Sequence, residues 1–285
     1  MMKKRIFALL YAIGATRLVA WWNRQQVMIL CYHGVTGREE RNPQDLCGLH
    51  VCQHRFAAQL DYLQRRYHVI SLQEYLAARR ERRRLPPYSI VLTFDDGFRN
   101  FLTVAAPHLA ERAMPVTVFL ITDRVRAAHG SGRDWSPSDD KEYLSWADVH
   151  ALKREQEIEF GSHTCSHQAL TTLDVEKAER EMRESHVQIV TRLKEESPSL
   201  AYPYGYYSNA VIERARALGY VCALTTDEGG NEPHTDLFAL RRTLIGDDDD
   251  EPSYAARVSG LTCWLRKSAG YAGHRSGQRR VDARS

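Results

Sequence analysis

Val91-Leu92-Thr93-Phe94-Asp95-Asp96-Gly97-Phe98 carries a short apolar run into two adjacent carboxylates and a glycine. Ser89 to Phe94 is rich in β-branched and aromatic residues, and Pro86-Pro87 blocks any helix running into it, so the segment reads as a buried strand. Both carboxylates then sit at a strand's C-terminal end, the edge where barrel and α/β architectures gather catalytic groups. Two like charges side by side have to be reconciled. A metal cation does so if one carboxylate is a ligand and the other stays ionised as a base; a turn with two solvated acids does so without chemistry.

The same alternation continues outward on both sides. Upstream, Val27 to Val35 is a second apolar run whose end presents His33. Phe56 to Tyr67 has helical periodicity, 68–70 is a short strand, and Ser71 with Glu74 forms a capping box for a helix over 72–80. Downstream, Phe98 to Arg112 reads as a helix despite Pro107, and Pro115 to Ile121 as a strand. Thr122 to Tyr143 has the composition of a long excursion loop, the kind that walls a binding site. A helix opened by Ser145 or Asp148, a strand at Ile158–Ser162 and a long helix over Thr171–Leu193 with Asp174 near its start come next. A strand edge at Leu200–Pro203, a helix over Asn209–Leu218 closed by Gly219, and a strand at Tyr220–Thr225 complete the series. Repeated βα units of this size predict a parallel sheet, most simply a closed or nearly closed barrel.

A chain of 285 residues suits one α/β domain with an additional N-terminal segment. Hydrophobic and charged contents of 43% and 26% are ordinary for a folded protein, and a net charge of +3 selects no partner. The basic run Arg79 to Arg84 and the arginines after Arg266 read as solvated faces, so nucleic acid is not expected. Six cysteines, Cys31, Cys47, Cys52, Cys165, Cys222 and Cys263, show neither zinc-ribbon nor redox spacing, which favours free thiols in a reducing compartment. Met1 to Arg5 is basic, and Ile6 to Ala15 is apolar but shorter than the roughly 20 residues that span a bilayer. Either a secretory signal or an amphipathic helix on the protein or a membrane surface fits, and Trp21 and Trp22 beside Arg24 suit such an interface. The chain divides into residues 1–26, an amphipathic or signal-like segment; 27–265, the barrel domain, with its core over about 89–245; and 266–285, a basic, disordered tail. A cytoplasmic location, or one peripheral at the inner membrane, is expected over a periplasmic or secreted one.

A second signal sharpens the first. Gly161-Ser162-His163-Thr164-Cys165-Ser166-His167 follows a strand and places two imidazoles four residues apart. Alone, such a pair also fits surface or capping histidines; joined to a carboxylate on a neighbouring strand end it makes a His-His-Asp group with open positions, as catalytic metals are held. Thr93-Phe94-Asp95-Asp96-Gly97, then Ser162 to His167, then Ala201-Tyr202-Pro203-Tyr204-Gly205 resembles the ordered motif set of the NodB-homology polysaccharide deacetylases, carbohydrate esterase family 4. Leu30-Cys31-Tyr32-His33-Gly34-Val35 looks like the opening strand of its exopolysaccharide branch, and the resemblance covers about Ser89 to Arg242.

The resemblance implies a distorted (β/α) barrel of about seven strands and metal-dependent removal of N-acetyl groups from N-acetylhexosamine units of a polysaccharide or lipid-linked glycan. It makes Asp95 the general base and Asp96, His163 and His167 the ligands of a divalent metal, zinc with cobalt or nickel as alternatives. It makes the backbone N–H of Tyr204 the oxyanion donor, with Pro203 and Tyr202 at the substrate. Two positions depart from the pattern. Ala201 stands where many members carry an arginine paired with the base, so Asp95 must be oriented by the metal site or another cation. The segment Leu237 to Thr243 lacks the usual leaving-group histidine. His33 is the candidate acid instead, although a histidine hydrogen-bonded in a turn beside Gly34 fits equally well. His234 ranks below it, Asp227 reads as a supporting or loop acid, and Asp247 to Asp250 as a solvated face. Esterase action on O-acetyl sugars and a non-catalytic carbohydrate-binding role are the alternative readings.

Overall fold

The computed structural model describes residues 2–37, 48–125, 142–155, 158–194 and 198–268. Helices α1 (Met2–Ala12) and α2 (Ala15–Trp22) come first, separated at Gly14. β1 (Met28–Tyr32) stops at His33, and β2 (Gly34–Thr36) turns away to pair with β3 (His50–Cys52) in a separate two-stranded sheet. The single run expected over 27–35 is therefore two strands. α3 (Gln53–Arg66), β4 (His68–Ile70), α4 (Leu72–Arg80) and β5 (Ser89–Phe94) follow, with Ser71 Oγ accepting from the Glu74 N–H as an N-cap. The helix expected over 98–112 is a π-helical stretch, Phe101–Ala105, running into α5 (Ala106–Glu111). Pro107 is the physical reason, because its ring crowds the carbonyl four residues back, inside that stretch.

β6 (Val116–Leu120), α6 (Trp146–Glu155), β7 (Ile158–Ser162) and α7 (Val175–Leu193) come next. Ser145 and Asp148 exchange backbone-to-side-chain bonds as a capping box on α6, and Asp174 caps α7 after a short turn over Leu170–Thr172. β8 (Leu200–Ala201), α8 (Asn209–Ala217), β9 (Ala223–Leu224), β10 (Thr243–Leu244), α9 (Glu251–Val258) and α10 (Leu261–Ser268) finish the described chain. α10 crosses the predicted start of the basic tail, and the rest of that tail, Cys47 and 126–141 of the excursion loop lie outside the described residues.

The main sheet is parallel, in the order β10-β1-β5-β6-β7-β8-β9, with β4 beside the first half of β5. It curls into the distorted half-barrel of about seven strands. Leu240 bridges Leu224 next to β9, and Thr243 and Leu244 pair with Leu30 and Cys31 of β1, so residues 240–244 reach both ends of the sheet.

Both faces are buried, which is why the strands read as unbroken apolar runs. Leu30 and Tyr32 with Leu92 and Phe94 pack outward among Phe56, Leu60 and Val149 of the helices. Ile29 and Val91 pack inward with Phe119, Ala201 and Leu224. That alternation sets the polar residues of the strand ends. Cys31 and Thr93 are partners in register on the inward face, and His33 and Asp95 follow two residues further along the same face.

Asp247 to Asp250 do not form the solvated face expected of them. Asp247 and Asp249 are buried: the first accepts from the Cys52 N–H, the second from Arg257 Nε, and Asp250 caps α9. Three of the four acids each meet a different donor, and Asp248 between them is exposed.

Candidate active site

At the end of β5 the two-residue period places Asp95 toward the barrel interior, where it is buried. Asp96 would by the same period face away. Its backbone is left-handed instead (φ 72), as is that of Gly97 (φ 73), and the pair of turns brings its carboxylate to the histidines. Position 97 has to be glycine here, because a Cβ would lie 2.8 Å from Leu120 Cδ2 in a conformation that side chains already disfavour.

His163 follows β7 directly, and its Nδ1 lies 2.8 Å from the Ala201 carbonyl. A carbonyl only accepts, so Nδ1 holds the proton and Nε2 presents a lone pair. The chain then turns at Thr164 (φ 63) and His167 (φ 67), with Ser166 held to Glu181 of α7 through its N–H and hydroxyl. His167 Nε2 ends 3.1 Å from His163 Nε2, in a loop rather than on a helix.

Asp96 Oδ1 lies 3.5 Å from His163 Nε2 and 3.6 Å from His167 Nε2, is buried, and has no hydrogen-bond partner among the described residues. Burial and the neighbouring Asp95 push the Asp96 carboxyl up to about 7. Burial lowers both histidines, His163 to about 3, so the imidazoles are neutral at physiological pH. An unpartnered carboxylate oxygen and two ring nitrogens of neutral imidazoles converging within 4.8 Å fit a divalent cation.

Asp95 is satisfied differently. Arg242, which is completely buried, donates Nη1 to Oδ1 and Nη2 to Oδ2, both at 2.7 Å. Its Nε donates to the Thr225 carbonyl, and Nη1 also reaches Thr93 Oγ1, so all three of its nitrogens donate. Burial alone would raise the Asp95 carboxyl, but the guanidinium more than offsets this and holds it well below the usual carboxylate range. Asp95 Oδ2 also accepts from Cys31 Sγ at 3.3 Å and lies 3.9 Å from His163 Nε2.

His33 joins Asp95 and Cys31 in a second group within 4.8 Å, as the register of β1 against β5 requires. Its Nδ1 is buried without a hydrogen-bond partner among the described residues, unlike a histidine tied into a turn, and burial lowers the ring to about 4.

Tyr204 has a left-handed backbone (φ 59), an exposed ring and a centroid 4.7 Å from that of His167. Gly205 after it is also left-handed, and a Cβ there would clash with Thr226. Tyr202 has to be corrected. Its side chain is fully buried, donates to the Phe238 carbonyl and stacks on Tyr207, so it cannot face a substrate; Pro203 is buried as well. His234 pairs with Glu232 on an exposed turn, and Asp227 accepts from the Tyr207 hydroxyl while its carbonyl receives the Arg242 N–H.

With this geometry established, similarity to known proteins decides the family. The model described as polysaccharide deacetylase matches residues 82–223. The chain belongs to the polysaccharide deacetylase family. The poly-beta-1,6-N-acetyl-D-glucosamine N-deacetylase of Staphylococcus epidermidis is 23% identical over 246 residues, spanning 80% of this chain and 81% of that protein. Among solved structures, Streptococcus pyogenes deacetylase PplD in complex with acetate aligns with a TM-score of 0.70 at 24% identity, over 82% of this chain and 98% of the other. IcaB from Ammonifex degensii aligns with a TM-score of 0.69 at 24% identity, over 82% and 97%. Both share the half-barrel.

Within this family the arginine absent at position 201 has a physical substitute. Ala201 keeps only its carbonyl in the site, as the partner of His163, while the cation arrives on Arg242 from the segment that closes the sheet. Sequence reasoning asked for another cation and passed over Arg242. The available signal was an arginine set between Leu240 and a short apolar segment, a poor place for a charge unless something buried pairs with it. Cys31 was missed because nothing in its spacing distinguishes it from a core thiol.

Proposed function

We propose that this chain removes N-acetyl groups from N-acetylhexosamine units of a polysaccharide or lipid-linked glycan, in a metal-dependent hydrolysis. The observation that carries the reading is a buried, ionised Asp95 locked by Arg242 directly beside the unpartnered Asp96-His163-His167 group. The family, and the N-deacetylase named in Staphylococcus epidermidis, support an N-acetylated glycan as substrate. Asp96, His163 and His167 would hold a divalent cation, zinc first with cobalt or nickel as alternatives, which supplies Lewis acidity at the acetyl carbonyl.

The residues divide the remaining work. Asp95 accepts the proton of the attacking water; the bidentate arginine keeps it ionised and fixes its orientation. The backbone N–H of Tyr204 donates to the developing oxyanion. His33, neutral at rest and within 4.8 Å of Asp95, relays to the departing nitrogen the proton that Asp95 has taken from the water, so the nitrogen leaves as an amine and not as its anion. The exposed rings of Tyr204 and Tyr206, 6.0 Å apart, suit stacking against sugar faces and take the place of Tyr202.

The test is release of acetate and appearance of free amine from a β-1,6-linked N-acetylglucosamine oligomer, abolished by chelation and restored by zinc or cobalt. Turnover that survives in Asp95→Asn disproves the base assignment. Equal slowing of N-acetyl and O-acetyl cleavage in His33→Ala disproves the leaving-group role.

A further inference from the structure

The N-terminal helices bury only one of their two apolar faces. In α1, Phe7 and Leu10 pack against Ala256 of α9 and Leu261 of α10, and Val19 of α2 and Leu265 of α10 complete that cluster. A second stripe, Ile6 and Leu9 of α1 with Ile13 in the turn that follows it, is exposed, Leu9 by 62% and Ile13 by 68%. On α2, Leu18, Trp21 and Trp22 do the same at helical spacing, Trp22 being 77% exposed, and Trp264 of α10 is 59% exposed. Seven of the twelve large apolar side chains most exposed among the described residues thus lie on three helices and the turn joining the first two, none of which contributes to the site. An apolar surface of this kind on a folded protein marks a contact.

Charge selects the partner. Residues 2–26 hold Lys3, Lys4, Arg5, Arg17 and Arg24 and no acid, so this one segment carries +5 in a chain whose net charge is +3. Lys4, Arg5 and Arg17 are exposed, and Arg24 lies over the Trp21 ring, 4.5 Å from its centroid. A second copy docked here would set these cations against their own images with no acid of the segment to neutralise them. Outward tryptophans with flanking Lys and Arg on short helices match instead the boundary between lipid headgroups and acyl chains. No described helix is long and apolar enough to cross a membrane.

We propose that α1, α2 and the Trp264 face of α10 form a docking surface for an anionic lipid bilayer, on which the protein lies without spanning it. Tyr11 of α1 bonds Glu251 at the start of α9, and Asn23 after α2 bonds the Ser259 carbonyl at its end, so the helical hairpin runs along the flank of the barrel. Arg24, just past α2, accepts through its carbonyl from the Tyr88 N–H ahead of β5, at the opposite end of that strand from Asp95. The inference is independent of the reaction proposed above.

Flotation of the full chain with vesicles of phosphatidylcholine alone, or of phosphatidylcholine mixed with phosphatidylglycerol, tests it. The protein is expected to float with the anionic vesicles at low salt and to be released at high salt. Trp22→Ser and, separately, Ile13→Ser should each weaken partitioning roughly tenfold, and Arg17→Gln about fivefold on anionic vesicles alone. Both apolar positions are largely exposed, so the variants should retain the parent's melting temperature and its turnover of a soluble oligomer. Absence of binding to either vesicle, equal binding to both, or binding indifferent to these substitutions overturns the proposal. So does self-association in sedimentation that Trp22→Ser abolishes while lipid binding is absent.

Discussion

Asp95 and Asp96 are neighbours in sequence and opposites in surroundings. Asp95 meets a buried guanidinium on both oxygens and sits well below the usual carboxylate range; Asp96 meets two neutral imidazoles, keeps one oxygen unpartnered and sits near 7. A left-handed residue at the end of a strand is what separates them, since it sends consecutive side chains into different pockets. The difference teaches that a carboxylate pair need not share one neutralising partner. One carboxylate is balanced by the fold itself, and the other keeps an oxygen with no partner among the described residues.

The sharpest way to break this division is to remove its fixed cation. Arg242→Met leaves Asp95 buried and unpaired, so turnover should fall on the order of a thousandfold and the fold should lose about 3–5 kcal/mol in denaturant unfolding. The Asp95 carboxyl, no longer held down, should rise, and the acid limb of the rate profile should move to higher pH. A variant with unchanged stability and pH profile would refute the pairing as a functional element.

Disturbing the other half should act through metal and leave the fold alone. Asp96→Asn is expected to reduce zinc affinity by roughly a hundredfold or more by direct titration, with little loss of stability because no hydrogen bond to that oxygen is broken. If Asp96→Asn instead unfolds the protein while zinc binding persists in the survivors, the two carboxylates have been assigned the wrong way round.

A gentler test uses pH. Because the free Asp96 carboxyl sits near 7, cation binding to the apo protein should release a proton below that pH and none above it. Affinity should therefore rise about tenfold per pH unit up to roughly 7 and then level off. His163, lowered to about 3, is already neutral across that range and adds no proton release of its own. A flat profile between pH 5 and 8, roughly, would show that Asp96 is not the titrating ligand.

The smallest effect is expected at Tyr202. Tyr202→Phe removes one buried hydrogen bond to the Phe238 carbonyl, costing about 1 kcal/mol in unfolding free energy, and should leave turnover unchanged. A drop in turnover without loss of stability would return this ring to the substrate.

Much of the architecture was legible before any coordinates. Strands at 68–70, Ser89–Phe94 and Ile158–Ser162 announce themselves through apolar runs bounded by breakers, and the caps at Ser71, Ser145 and Asp174 through side chains suited to free helical N–H groups. Asp95, Asp96, His163 and His167 were legible because each follows a strand within a few residues, so local rules place them at one edge. Short pieces were not: β3, β10 and the two C-terminal helices carry too few residues for a periodic signal, and the break at His33 depends on where β2 finds its partner.

The sequence by itself determined which residues could do chemistry and which edge of the sheet they share, because strand alternation and left-handed turns are local properties of the chain. Only the tertiary structure decided which cation orients Asp95 and which tyrosine is exposed. Arg242 lies 147 positions from Asp95 and reaches it because residues 240–244 touch both ends of the sheet. Tyr202 and Tyr204 stand two residues apart in one motif, yet one is core and the other surface, since the turn at Pro203 sends them to opposite sides. Closure of a curved sheet is a long-range event, and no window of sequence contains it.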